Sequence, residues 1–374
     1  MILTSLIHWK YKHILKPIFF LRDPEAVHDG MTSVGVLLGK FAGTRWLTRL
    51  FFDYKNKALE QTILGIHFQN PVGLSAGFDK NARLSDIMPD VGFGFEEVGS
   101  ITGEPCKGNP KKRLWRLPKS EALVINYGLV NDGAERICAK LRKKKFRIPI
   151  GINMAKTNNQ VCAIDEKGIE DHAKSLKEAG DIGDYHTLNI SCPNSFGGQS
   201  FHRPEALDML LAHLHQNAWA KPVFLKLSPD ITKESLKAII EVGKKHGIHG
   251  LIISNLTKQY DLSTIDQEEF KKRGIEAGGI SGKPTKELSN TLIAEAYRLA
   301  GNDLVIIGCG GIFSAEDAYK KIRSGASLVQ LITGMIYEGP QLIGEINRGL
   351  VELLKKDGFT SISQAIGADV IRES

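Results

Sequence analysis

From about residue 70 onward, short apolar runs alternate with stretches whose apolar residues recur at helical spacing. The runs are NPVGLSAG, FGFEEVGS, IPIGIN, YHTLNIS, KPVFLKLS, IHGLIIS, LVIIGCGG and ASLVQLITG, eight in all. Between them lie helix-like segments such as TKESLKAIIEVGKKHG and SAEDAYKKIRSG. This alternation predicts a parallel β/α architecture. Eight such units predict a closed (β/α)8 TIM barrel of the α/β class rather than an open doubly wound sheet. No GxGxxG fingerprint follows the first run, which argues against a Rossmann domain. Each run ends in small or polar residues: Ala76-Gly77, Gly99-Ser100, Asn153, Asn189 to Asn194, Lys226, Ser254-Asn255, Gly310-Gly311 and Thr333-Gly334. In a β/α barrel the active site lies at the carboxyl ends of the strands, so these positions predict one shared mouth. The stretch 103–135 exceeds a simple connection and is expected to fold over that mouth.

The pattern before residue 70 is different. Asp23-Pro24-Glu25 is a helix-start signal, with a capping Asp, a Pro suited to the first turn and a Glu at the positive helix end. Two short helices are predicted within residues 1–45, with the barrel occupying 46–374. Their outward face would carry Leu3, Leu6, Ile7, Trp9, Ile14, Leu15, Phe19 and Phe20, interleaved with lysines. Such an element can lie in a membrane interface, or it can pack on a soluble barrel; the pattern alone leaves both open. The apolar run is broken by Lys10, Lys12, Lys16 and Pro17, so it is too short and too charged to span a bilayer. It also lacks a small-residue cleavage site, so no signal peptide is expected.

Composition narrows the picture modestly. The 374 residues are 42% hydrophobic and 24% charged, as in a globular protein with an ordinary core. A net charge of +7 permits attraction to anionic lipid or a phosphate-bearing ligand, and no nucleic-acid-binding signature accompanies it. The five cysteines are scattered and never form CxxC, which argues against a disulfide framework or zinc site and for a reducing compartment. His213 and His215 would point to different faces of a helix, so no metal site is expected there.

Three features carry chemistry. The turns GCGGI and LITGM end the last two runs, where barrels often bind phosphate through backbone N–H groups; the alternative is plain tight turns. Lys226 ends a strongly apolar strand, and an unpaired buried ammonium is costly, so it should meet an anion; a reduced flavin would suit it. Lys80 in SAGFDKN is a second cation at the same mouth. NISCPNS places Cys192 between Asn189 and Asn194 on a loop after a strand. A thiol starting near ~8.5 can serve as a general base where positive charge lowers its pKa, against the alternative of an inert buried cysteine.

Taken together, NPVGLSAGFDKN, GINMAKTN, LNISCPNS, VFLKLSPD, AGGISGKP, IIGCGGI and GASLVQLITGMIYEGP resemble the dihydroorotate dehydrogenases, specifically the quinone-dependent, membrane-associated class. The resemblance runs from about residue 20 to residue 350. It implies oxidation of dihydroorotate to orotate in pyrimidine biosynthesis, with FMN as cofactor and a membrane quinone as acceptor. It further implies Cys192 as the base that takes a proton from C5 while C6 gives a hydride to the flavin. Lys80, Asn126, Asn189, Asn194 and Asn255 would hold the substrate. Ala76, Gly77, Lys80, Ser100, Asn153, Asn189, Lys226, Ser254, Gly282, Gly311, Thr333 and Gly334 would hold FMN. Asparagines suit a dihydropyrimidine because each offers both a donor and an acceptor. The N-terminal helices resemble the extension this class uses to dock on the membrane and admit quinone. A peripheral place on the cytoplasmic side of the inner membrane follows, with no nucleic acid and no obligate protein partner.

Two departures qualify the resemblance. The quinone class usually has serine where Cys192 stands, and cysteine marks the cytosolic class that uses fumarate or NAD. In LVINYGLVNDG the asparagine lies one residue closer to the glycine than is usual, and Leu256 replaces a usual hydroxyl residue. A soluble acceptor or another pyrimidine substrate are the corresponding alternatives.

Overall fold

The computed structural model describes residues 2–215 and 219–370 of the chain, without the side chains of residues 2–5. All eight expected runs form strands: β1 (Val72–Leu74), β2 (Phe95–Ile101), β3 (Ile150–Met154), β4 (Tyr185–Asn189), β5 (Val223–Leu227), β6 (Gly250–Ile253), β7 (Val305–Cys309) and β8 (Leu328–Leu331). Each strand pairs in parallel with its neighbour in sequence, and β8 closes on β1 with Gln330 opposite Gly73. The protein is therefore a closed TIM barrel. Outward apolar residues such as Leu74, Val98, Ile152, Leu188 and Leu225 pack on helix residues such as Ile137, Leu210, Ile239 and Ile346. Burying each such side chain contributes about 1.5–3 kcal/mol.

Inside the barrel, the alternation along each strand sorts residues into two layers. The lower layer is apolar: Phe95, Tyr185, Phe224, Ile252, Ile307 and Leu328, sealed from below by Phe68. Glycines make room for the large rings. A Cβ on Gly73 would sit 2.3 Å from Phe95, one on Gly151 would sit 2.2 Å from Tyr185, and one on Gly250 would sit 2.4 Å from Phe224. Two residues further along these strands the inward positions turn polar: Ser75, Glu97, Asn153, Thr187, Lys226 and Ser254. The change of layer is what puts polar chemistry at the carboxyl ends.

The mouth carries a separate antiparallel sheet. Ala122–Ile125 is its central strand, flanked by Leu114–Leu117 and Gly279–Gly282. The stretch 103–135 thus does cover the mouth, with help from a strand far away in sequence.

The N-terminal region is larger than its pattern suggests. It comprises Ile2–Lys10, a π-helical turn at Tyr11–Leu15, Lys16–Phe20, Pro24–Lys40 and Ala42–Phe52. A boundary at residue 45 would cut the last helix, whose Phe52 carbonyl seats against Gly344; a Cβ there would lie 2.2 Å away. Asp23 caps the long helix by accepting from the Ala26 N–H at 3.0 Å, with Pro24 in the first turn as expected. Pro17 has no N–H to donate into the preceding turn, and the π-helical turn lies just before it. That irregularity breaks the simple helical phase. Phe19 and Phe20, expected to face outward, instead turn toward the barrel, where Phe20 packs edge-on against Tyr337 at 5.3 Å. Leu3 lies outside the residues whose side chains are described. Of eighteen exposed large apolar side chains among the described residues, thirteen fall between Leu6 and Leu50. Among the described residues the extension thus carries most of the exposed large apolar side chains.

Candidate active site

A large cavity, about 410 Å³, opens at the barrel mouth and continues between the mouth and the N-terminal helices. Its inner end is polar, and its outer wall is formed by Phe19, Phe20, Val27, Met31, Val34 and Leu38 of the extension. Lys80, Asn189, Cys192, Asn194 and Asn255 all line it. So do Ala76, Gly77, Ser100, Lys226, Ser254, Gly282, Gly311, Thr333 and Gly334. Two of the residues singled out from sequence do not. Asn153 is wholly buried beneath the floor, where its side chain accepts from Ser100 and donates to Glu97 at 2.7 Å. Asn126 turns away, and its Oδ1 accepts from Asn109 at 2.9 Å.

The floor is organised by a carboxylate that sequence reasoning overlooked. Glu97, on β2, is 0% exposed. It accepts hydrogen bonds from Asn153 at 2.7 Å, Gln330 at 3.0 Å, Thr187 at 3.2 Å and Tyr185 at 3.3 Å. Lys226 reaches it at 3.5 Å and donates to Ser75 at 3.0 Å. The anion expected for Lys226 is thus supplied first by the protein. The ammonium has three N–H groups, so one remains for the cavity, which Lys226 also lines. The signal in sequence was the Glu-Glu pair inside an apolar run. Its other member, Glu96, points outside the barrel, and burial, then the Asp79 charge, push its carboxyl well above the usual range.

Above the floor the asparagines form a chain. Asn189 donates to Ser100 at 2.9 Å and accepts from Ser191, and Asn255 donates to Ser191 at 3.0 Å. Asn194 donates to the Ile125 carbonyl at 2.7 Å, which ties the Cys192 loop to the mouth sheet. Lys80 sits 4.1 Å over the ring of Tyr127 and 3.5 Å from His28 of the extension. Burial pushes Lys80 down to about 8, against the opposing pull of Asp29, Asp79 and Glu25. Burial and the Lys80 charge together push His28 down to about 3, so its imidazole is neutral at physiological pH. A neutral ring is the form that can sit beside an ammonium without repelling it.

Burial raises the Cys192 thiol above its ordinary value, while hydrogen bonds from Asn194 and Ser195 and the charges of Lys156 and Lys258 pull it back. Lys156 is 5% exposed and donates to Ser200 at 3.2 Å, on the far side of Cys192 from the main cavity. It is the second residue that sequence reasoning missed. A cation favours thiolate, so Lys156→Met is expected to move the alkaline rise of Cys192 alkylation to higher pH, and Lys156→Arg to leave it in place. Iodoacetamide rates at the Cys192 peptide, followed by mass spectrometry across pH, measure this. Superimposable profiles would restrict Lys156 to its contacts with Ser200 and Phe201.

The donor set fits a flavin phosphate and ring. Gly310 and Gly311 adopt φ of 113° and 67°, which leaves the backbone bare at the end of β7. With Thr333 and Gly334 they form the end of the cavity opposite Cys192's loop. Open backbone N–H groups of this kind suit an anion.

Comparison with known proteins agrees with this geometry. The family profile described as dihydroorotate dehydrogenase matches residues 58–354. A Natronomonas pharaonis protein named dihydroorotate dehydrogenase (quinone) is 38% identical over 96% of this chain and 99% of its own length. A Crocosphaera subtropica protein of the same name is 40% identical over 85% of each. Among solved structures, Eimeria tenella DHODH in complex with ferulenol superimposes with a TM-score of 0.79 at 30% identity, covering 93% of this chain and 96% of that one. With a matching profile over most of its length, relatives matching nearly end to end, and a superimposable solved structure, this chain belongs to the dihydroorotate dehydrogenase family.

Proposed function

We propose that the chain oxidises dihydroorotate to orotate and passes the electrons to a membrane quinone, with FMN as its cofactor. The observation that carries this reading is the convergence of Cys192, three asparagine amides and Lys80 on one cavity whose far wall is the apolar extension. The names of the relatives support the quinone as acceptor. Asn189, Asn194 and Asn255 offer the paired donors and acceptors that a dihydropyrimidine ring requires, and such sites reject analogues lacking those groups. Lys80 would meet the substrate's carboxylate. The Cys192 thiolate would remove the C5 proton as the C6 hydrogen leaves with its electron pair. A bound flavin would supply the acceptor for that hydride and the route by which the electrons leave. Lys226, Ser100, Ala76, Gly77, Ser254 and Gly282 would hold its ring, with Asn153 acting through Ser100. Gly311, Thr333 and Gly334 would hold its phosphate.

The apolar passage past Phe19, Phe20 and Met31 leads from the site to the exposed face of residues 6–50, which suits a hydrophobic acceptor drawn from a bilayer. Among the described residues no helix is long and apolar enough to cross a membrane. Attachment by the N-terminal face is the reading that fits both facts. Cys192 favours a second reading, the same half-reaction with fumarate as acceptor.

Anaerobic mixing of the flavin-loaded protein with dihydroorotate tests the proposal. The expected result is bleaching of the yellow colour, reversed by a short-chain quinone. Recovery with fumarate alone would transfer the support to the second reading. A flavin-loaded protein that dihydroorotate leaves yellow would overturn both.

A further inference from the structure

The turn at Asn126 belongs to a network that the chemistry above does not use. Asn109, in the connection leading to the mouth sheet, donates through Nδ2 to Asn126 Oδ1 at 2.9 Å and to the Asn194 carbonyl at 3.2 Å. Its Oδ1 accepts from Asn158 Nδ2 at 3.0 Å. Asn158, on the loop after β3, also donates to the Gly128 carbonyl at 3.2 Å and accepts from the Phe196 N–H at 2.8 Å. Both N–H bonds of each of the two amides are therefore engaged, and each carbonyl accepts at least once. The packing allows nothing larger at the centre: a Cβ on Gly128 would lie 2.6 Å from both Asn109 Cγ and Asn158 Nδ2.

The partners come from three separate connections. They are the mouth segment, the loop after β3, and the loop after β4 that bears Cys192. Within that last loop the two points held are Asn194 and Phe196, just beyond the cysteine. The loop is also tied by Asn194 Nδ2 to the Ile125 carbonyl and by Gln199 Nε2 to the Ser191 carbonyl, while its tip is open: a Cβ on Gly198 would touch nothing within 4 Å.

We propose that Asn109 and Asn158 are positioning residues: their side-chain amides form a latch that holds the Cys192 loop shut across the mouth and so fixes Cys192 and Asn194 over the pocket. They act through other residues and touch no substrate. Asn126 is the latch's third amide rather than a pocket residue, which explains why the shortened turn directs it at Asn109. The assignment of the latch rests on the proposed role of Cys192, but its closure does not.

The latch distinguishes amide from acid. Asn109→Asp keeps the shape but replaces a twofold donor by an acceptor that faces Asn126 Oδ1 and the Asn194 carbonyl. Asn109→Ala removes the contacts without repulsion. In flavin-loaded protein at a single pH, Cys192 alkylation by iodoacetamide is expected to rise about tenfold in Asn109→Ala and further in Asn109→Asp. Cys138, wholly buried on the helix Ala134–Leu141 and outside the cavity, serves as the internal reference and stays protected as in the wild type. In the same variants the KM for dihydroorotate rises while flavin content holds, whereas general unfolding would expose both cysteines and release flavin. Unchanged Cys192 alkylation in both folded variants would overturn the latch, whatever their activity. A wild-type protein that dihydroorotate fails to reduce would instead overturn the functional reading and leave the latch result standing.

Discussion

Cys192→Ala is expected to slow reduction of the enzyme by dihydroorotate by about 10²–10⁴-fold, the range for loss of a general base, with flavin content and orotate affinity retained. Cys192 lies on a loop, lines the cavity and has no part in the floor network around Glu97, so its loss removes a proton acceptor rather than a support. Anaerobic stopped-flow at saturating dihydroorotate reads the reductive step alone. Cys192→Ser refines the expectation. The rate rises with pH as the base loses its proton, so the acid limb follows the base's own pKa. Burial already holds the Cys192 thiol above its ordinary value, yet a serine hydroxyl is a far weaker acid still. The serine variant's limb should therefore lie at higher pH than that of the natural cysteine. Coincident pH profiles for cysteine and serine, or wild-type reduction in Cys192→Ala, would remove Cys192 from the chemistry.

The barrel was legible because each strand is a run of apolar residues bounded by small or polar ones, and because the layer switch falls at its end. IPIGIN and YHTLNIS each read as strand and site at once, since one inward face passes from Gly151 to Asn153 and from Tyr185 to Asn189. The mouth sheet was not legible in the same way. Its central strand, Ala122–Ile125, pairs with Gly279–Gly282, a partner no local pattern announces. The partner of Lys226 was missed for a related reason. Glu97 sits on β2 and Lys226 on β5, so the contact crosses the barrel interior and depends on which side chains face inward at the same height. Asn126 shows a further limit. Its spacing from Gly128 is visible in the sequence, but its direction follows from backbone that turns left-handed at Gly128 and Leu129, with φ of 67° and 62°. Phe19 and Phe20 changed face because a π-helical turn precedes Pro17. For Lys226, Asn126, Phe19 and Phe20 the residue was singled out in sequence, and what was missing was orientation or a partner set by distant or irregular backbone.

Lys226→Met should destabilise the fold as well as weaken flavin binding, and the two effects have one cause. Lys226 is 3% exposed and Glu97 0%, so removing the ammonium strands a carboxylate where water cannot reach it. Breaking a buried pair by deleting one member costs about 3–5 kcal/mol. Glu97 keeps four neutral donors, Asn153, Tyr185, Thr187 and Gln330, which places the expected loss toward the lower end of that range. Urea unfolding should show a lower midpoint with an unchanged slope, because the surface exposed on unfolding is the same. Adding Glu97→Gln to the methionine variant takes away the stranded charge and should recover part of the stability. It should not recover flavin, since the cation that Lys226 presents to the cavity is still missing. The double-mutant cycle thus separates the structural half of the lysine's role from its ligand half. If stability and flavin content recover together, Lys226 serves only to neutralise Glu97, and the cavity's cation must be sought in Lys80. If neither recovers, the floor network depends on the Glu97 charge itself.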